Sequence, residues 1–363
     1  MSRPGRRFAW RALGAFWAVV LVTVGGGAAV LQVLGPPPAS RPTPTPVHAT
    51  QTPPAVPPPT AVVLSPAPPV QLGPRPGRDT PGPVTDPDPA LEEPAPGLPG
   101  RVLPRIAEDG RMPMQLYAAG FDHTSRRPRV GLVLAGIGLN TAASQDAIRT
   151  LPGGITLAVS PYATYPDRVL AEARLSQHEY LLSIPMEPES FPLNDPGDHA
   201  LTTRASPDDN NRQLIWVLSR FAGYVGATGA LGLTRGERFA SVPDQMNPVL
   251  ATLAQRGLLY VDPRPGESKL DNGRLPSVWS RDVDVVIDEP DDAASIDAKL
   301  AALNRIAHDK GSALGLAGAV RPVTVERITA WANELAANGL ALAPVSALVE
   351  PPVTPPNPAQ AKQ

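Results

Sequence analysis

The chain has 363 residues, a formal net charge of -2, 48 prolines and no cysteine. Without cysteine there are no disulfides, thiolate metal sites or cysteine nucleophiles. A near-neutral charge without basic blocks gives no electrostatic case for nucleic acid.

Residues 1–11 read as a basic cytoplasmic N-terminus, with Arg3, Arg6, Arg7 and Arg11 preceding an apolar run. That run, residues 12–34, is long enough to span a bilayer as one helix, and the arginine cluster sets an N-in orientation. The expectation is therefore a single-pass, uncleaved inner-membrane anchor with the globular domain in the periplasm. A cleaved signal peptide, with small residues around Gly25 to Ala29, is the rival reading.

Residues 35–104 are dominated by proline, with runs such as Pro36-Pro-Pro38 and Pro57-Pro-Pro59. Such sequence favours extended polyproline II and packs no core, so it reads as a disordered, semi-rigid spacer. A second disordered stretch is expected at residues 351–363.

The remaining residues, 105–350, form one globular domain. Apolar runs at Val130–Leu134, Ile155–Val159, Tyr180–Ile184, Tyr224–Leu231, Leu258–Val261, Val283–Ile287, Ala313–Leu316 and Leu340–Ala343 read as buried strands. Helical patterns lie between most of them. Val325, Ile328, Trp331 and Leu335 recur at helical spacing over residues 323–338, with Pro322 at the start and Gly339 as a stop. Gly257 and Gly311 end two more helices, and Ser206-Pro207 opens another. About eight strand–helix repeats fit a (β/α) barrel or a doubly wound sheet. No glycine fingerprint follows the first strand, and the glycines from Gly223 to Gly232 lack the Lys-Ser/Thr of a phosphate loop, so a nucleotide fold is disfavoured.

Several segments together resemble the divergent polysaccharide deacetylase family. They are Leu151-Pro152 with Ile155–Tyr162, His178–Pro188 containing Pro185-Met-Glu-Pro188, Gly257–Asp262, and Pro322–Trp331. The resemblance runs from about Arg129 to Val349. It implies a distorted (β/α) barrel of the polysaccharide deacetylase type, an envelope location and a role in carbohydrate metabolism. It also implies a divalent metal held by one aspartate and two histidines, with a second aspartate as the base. In this chain the aspartate pair falls on Ala135-Gly136. The histidine positions fall on Ser183, around Thr228–Gly232 and near Leu316–Pro322, none of them histidine. Only Asp262 keeps the family residue type.

No two histidines stand at metal-ligand spacing, so no metal or other cofactor is expected unless the site is rearranged. His178 begins a strand, at the end opposite barrel sites. His199 lies in the loop after Pro188, within reach of the mouth. The polar residues at strand C-termini are Ser183, Glu187, Asp262, Arg264, Asp288, Glu289 and Arg321. In a barrel they are expected to converge on one face, with Glu187 and Asp262 as an acid/base pair. Ser183, Arg264, Asp288 and Arg321 would then bind sugar hydroxyls. The leading expectation is a membrane-tethered domain that has lost the metal chemistry and binds envelope polysaccharide or a peptidoglycan fragment. One alternative is an active deacetylase or hydrolase with a rearranged carboxylate site. The other is a non-catalytic scaffold for envelope proteins.

Overall fold

A computed structural model describes residues 76–79, 82–266 and 278–352. Two short strands, β1 (Glu92–Pro94) and β2 (Val102–Pro104), precede the main sheet. The domain is built on parallel strands. They are β3 (Arg129–Ile137), β4 (Thr156–Val159), β5 (Tyr180–Ser183), β6 (Gly226–Thr228), β7 (Leu259–Asp262), β8 (Ser280–Asp282), β9 (Val285–Val286), β10 (Ser312–Ala317) and β11 (Ala341–Leu342). Of these, β3 to β7 and β10 are buried along nearly their whole length, and β8, β9 and β11 only in part. The order is β8-β7-β6-β5-β4-β3-β10-β9, and β11 pairs with the first residues of β3.

The sheet curls until its ends meet in one stretch of chain. β8 pairs with β7, Asp262 opposite Asp282, while β9 pairs with β10, Val285 opposite Gly315. Between them, Val283 N–H donates to the Asp262 carbonyl at 2.9 Å and Asp284 N–H to the Leu314 carbonyl at 2.8 Å. Side chains then alternate between two cores, as the period of two requires. Val133, Ala158, Leu181, Leu259 and Leu314 pack inside the curl. Leu132, Leu134, Leu157, Leu182 and Tyr260 pack outside it, among the helices.

Two short helices, α1 (Pro113–Leu116) and α5 (Glu237–Ala240), sit in connections. The outer layer comprises α2 (Thr141–Thr150), α3 (Pro166–Leu175), α4 (Pro207–Leu218), α6 (Pro243–Gln255), α7 (Ala293–Lys310) and α8 (Pro322–Glu334). Proline opens α3, α4, α6 and α8, where its missing N–H costs nothing. Asn140, Ser206 and Asp292 cap α2, α4 and α7 by accepting a backbone N–H three residues on. Gly311, at φ 82, ends α7 as expected. The last helix stops at Glu334 rather than Asn338. Leu340 N–H then bonds the Leu335 carbonyl at 2.9 Å across Gly339, so the glycine closes an irregular final turn.

Two sequence expectations change. The spacer does not reach residue 104: Val84, Leu91 and Leu103 are buried, and β1 and β2 form an antiparallel pair. Proline is tolerated at such an edge, and the leucines between the prolines supply what the core needs. The strand expected over 224–231 is only β6, because the chain turns sharply after Gly229. Among the described residues no helix is long and apolar enough to cross a membrane. The expected span at residues 12–34, the spacer up to residue 75 and the tail from residue 353 lie outside the described residues.

Candidate functional site

Barrel chemistry is expected where the strands end. At the end of β3, Ala135 is fully buried and Gly136 adopts a left-handed φ of 78°. Over them lies the tight turn Leu231–Thr234, closed by Leu231 N–H to the Thr234 carbonyl at 2.9 Å and the reverse bond at 3.2 Å. A Cβ on Gly136 would lie 3.4 Å from the Gly318 carbonyl oxygen and 3.8 Å from Gly232 Cα. One on Gly318 would lie 3.0 Å from the Gly232 carbonyl oxygen. Three glycines from the ends of β3, β6 and β10 thus bring backbone against backbone across the mouth. Beneath them Ser183, on the same face of β5 as Leu181, is fully buried, and its hydroxyl has no hydrogen-bond partner among the described residues, so none of these activates it as a nucleophile.

The acidic and basic residues at the strand ends are each committed to a partner of their own. Glu187 is buried and committed: its Oε2 accepts from Thr203 N–H at 2.7 Å and Thr203 Oγ1 at 2.8 Å. Its Oε1 accepts from Arg238 Nη1 at 3.0 Å. Burial pushes its pKa up, but the Thr203 and Arg238 bonds outweigh this and hold it below the ordinary value. Asp262 is gripped by Arg264, which donates from Nε at 2.9 Å and Nη2 at 2.5 Å. Glu187 and Asp262 share no hydrogen-bond partner among the described residues, so the expected acid/base pair is two separate structural contacts.

Beside Asp262, burial and then the Asp262 charge raise the Asp282 carboxyl to about 6. Asp288 accepts the Gly318 N–H at 2.9 Å and the Ala319 N–H at 3.0 Å, fastening the end of β10. Glu289 pairs with Arg235 at 2.6 Å. Arg321 pairs with Asp291 and lines a groove between α2 and α8, outside the mouth. Ser183, Arg264, Asp288 and Arg321 thus share no hydrogen bond or ion pair with one another among the described residues.

His178 is buried at the far end of the sheet, its Nδ1 2.7 Å from the Ile155 carbonyl and Nε2 3.1 Å from that of Ile148. His199 does reach the mouth region. It stacks on Trp216 with ring centroids 3.4 Å apart, bonds Gln213 Oε1 through Nδ1 at 2.7 Å, and donates its backbone N–H to Tyr162 Oη at 3.2 Å. Arg220 lies 4.7 Å from the Trp216 ring, so that tryptophan is engaged on its own account.

The open concavity lies to one side of the closed axis. It is a cavity of about 450 Å³ lined by Leu139, Tyr162, Asp195, Asp198, Leu231 and Thr234, from the loops after β3, β4, β5 and β6. Sequence reasoning missed all six. The Asp195-Pro-Gly-Asp198 turn was the one local signal, but nothing in the sequence tied it to Leu139 or Tyr162.

Among the described residues no three of His, Cys, Asp and Glu come together as metal ligands. Asp262 carries a guanidinium that would repel a cation, and the ends of β3, β6 and β10 offer backbone glycine. These donors do not fit the divalent metal that the resemblance implies.

Two comparisons agree with this architecture. A family model described as divergent polysaccharide deacetylase matches residues 132–349. The crystal structure of an uncharacterized protein, ATU2773, from Agrobacterium tumefaciens C58 is 32% identical, with a TM-score of 0.63, over 69% of this chain and 100% of its own. The catalytic domain of a peptidoglycan N-acetylglucosamine deacetylase from Eubacterium rectale ATCC 33656 is 13% identical at a TM-score of 0.37, covering 60% of this chain and 88% of its own, too distant to bear on function. No curated protein matches. On the family match over most of the folded domain, the chain belongs to the divergent polysaccharide deacetylase family.

Proposed function

We propose that this is a membrane-anchored protein of the cell envelope that binds glycan through a deacetylase-type domain without the metal-dependent hydrolytic step. The observation that carries this is the separation of two places at the mouth. The axis, where the family chemistry would act, is packed with glycine backbone, while the cavity beside it is open. In that cavity Leu139, Leu231 and Tyr162 meet the apolar C–H faces of a sugar, and the Asp195 and Asp198 carboxylates accept from its hydroxyls. The arginine-flanked apolar run at residues 12–34 supports the anchor, and the proline-rich segment supports a spacer between membrane and domain. Removing a general base costs about 10²–10⁴-fold in rate. Glu187 and Asp262 are poor substitutes because both are held by cationic partners.

The test is elemental analysis of purified full-length protein for divalent metals, with acetate release and glycan binding measured on the same preparation. Binding of envelope polysaccharide without stoichiometric metal or acetate release is the expected result. Metal with acetate release would overturn it.

A second reading, a scaffold for other envelope proteins, has one observation in its favour. Tyr165 (67%), Leu193 (91%) and Leu233 (50%) are exposed on the loops after β4, β5 and β6. Absence of any glycan binding would leave that reading standing.

A further inference from the structure

The chemistry of the mouth cavity narrows the kind of sugar it suits, resting on the glycan-binding reading above. Its walls are apolar on one side, with Leu139, Leu231 and the Tyr162 ring. Its polar side is acidic. Asp195 and Asp198 both line it, both are exposed, and neither has an ion pair among the described residues. Asp195 Oδ1 accepts the Gly197 N–H at 2.8 Å, which fixes the turn and leaves the second carboxylate oxygen free. The Thr234 hydroxyl is spent on the Leu231 carbonyl at 2.9 Å. Among the described residues no lysine, arginine or histidine lines the cavity.

The floor is also rigid. Gly197, at φ 102, lies so close to Tyr162 that a Cβ there would stand 2.8 Å from its Oη, and that oxygen accepts the His199 N–H. Burial raises the Tyr162 phenol, and the Asp198 and Asp195 charges push it up further, so both carboxylates act on the same small space. A site of this kind discriminates by charge. It repels uronates and phosphorylated sugars, holds a neutral N-acetyl sugar through its hydroxyl and amide N–H donors, and gains from an ammonium group a bond in which both partners are charged.

We infer that the mouth cavity recognises a de-N-acetylated, ammonium-bearing amino sugar within a glycan. Removal of an N-acetyl group leaves such an amine, so the ligand is the product of an N-deacetylation carried out elsewhere. The protein would act downstream of that reaction class, reading its product rather than performing it.

The experiment is calorimetric titration of the full-length protein, in mildly acidic buffer, with a glucosamine oligomer and with the matching N-acetylglucosamine oligomer. Each is repeated on the double variant Asp195→Asn, Asp198→Asn, whose fold is checked by thermal melting; the amide oxygen introduced by Asp195→Asn keeps an acceptor for the Gly197 N–H. The expected result is tighter binding of the amine oligomer, on the order of tenfold, lost in the double variant and weakened by salt. Equal affinity for both oligomers, or a preference that survives in the double variant, overturns the inference. Binding of the N-acetylated oligomer alone overturns it while leaving the glycan reading intact. Binding of neither removes both.

Discussion

Gly318 and Gly232 meet backbone to backbone across the barrel mouth, with room for no more than 3.0 Å between a Cβ on the first and the carbonyl oxygen of the second. The same Cβ would stand 3.1 Å from Leu233 Cδ2. The turn Leu231–Thr234 is thus seated on the end of β10 rather than hanging over it. Gly318→Ala should cost about 1 kcal/mol and Gly318→Val up to about 3 kcal/mol, as overpacked cores do. Chemical denaturation measures both. A valine variant as stable as the parent would mean that the turn is free to lift.

Glu187 joins the end of β5 to Thr203 and Arg238, so it works as a fastener for the long loop that carries Asp195 and Asp198. Glu187→Gln keeps the shape but removes the charge, and its amide NH₂ must face either the Thr203 N–H or Arg238, both of which donate, so a loss of about 2 kcal/mol is expected. The carboxyl is held below its ordinary value of 4.5 in the folded state. Its stabilisation is therefore present above that pH and lost as the pH falls through the lowered folded value. The stability gap between parent and variant should be widest near neutrality and close in acid. A gap independent of pH would remove the charge from the explanation.

The buried strands were legible because their side chains have nowhere polar to go: Leu132, Val133 and Leu134 face two different cores and must all be apolar. Prolines at helix starts and Gly311 at a helix end were readable for similar local reasons. The site was not. Asp262 follows the alternation of Leu259, Tyr260 and Val261, and so belongs with Tyr260 on the outer face rather than over the axis. Strand-end position alone says nothing about that parity. The mouth cavity draws Leu139, Tyr162, Asp198 and Leu231 from four loops, and no periodicity links residues so far apart in the chain. The packed segment before residue 105 was hidden by its prolines, although Leu91 and Leu103 lay among them.

Asp282 gives the opposite pH dependence to Glu187. Its carboxyl rises from an ordinary 3.8 to about 6, through burial and the adjacent Asp262 charge. A raised folded value means stability is fully present below 3.8 and lost as the pH climbs through about 6. Asp282→Asn should therefore stabilise the protein at neutral pH by on the order of 1 kcal/mol, discounted for partial exposure, and give no gain in acid. Thermal melting of both proteins across that range checks the sign. A variant less stable than the parent at neutral pH would mean that the charge is compensated there.

The far end of the barrel is tied by one buried carboxylate. Glu179 Oε1 accepts from Thr156 Oγ1 at 3.1 Å and Ser346 N–H at 3.0 Å, and Oε2 from Ala119 N–H at 3.0 Å and Ser346 Oγ at 2.6 Å. Burial raises its pKa, and those donors, Ser346 foremost, offset only part of the rise. Thr156 Oγ1 in turn accepts the Val345 N–H at 3.0 Å, so the segment after β11 is held to the floor through β4 and β5. In Glu179→Gln one oxygen becomes an amide NH₂, turned toward groups that themselves donate. Each buried donor left without an acceptor costs about 1–3 kcal/mol, so a loss of about 3 kcal/mol or more is expected. Hydrogen exchange should find protection lost first at Val345, Ser346 and Ala119, ahead of the central strands. Uniform loss across the domain would instead make Glu179 part of the global core rather than a local fastener.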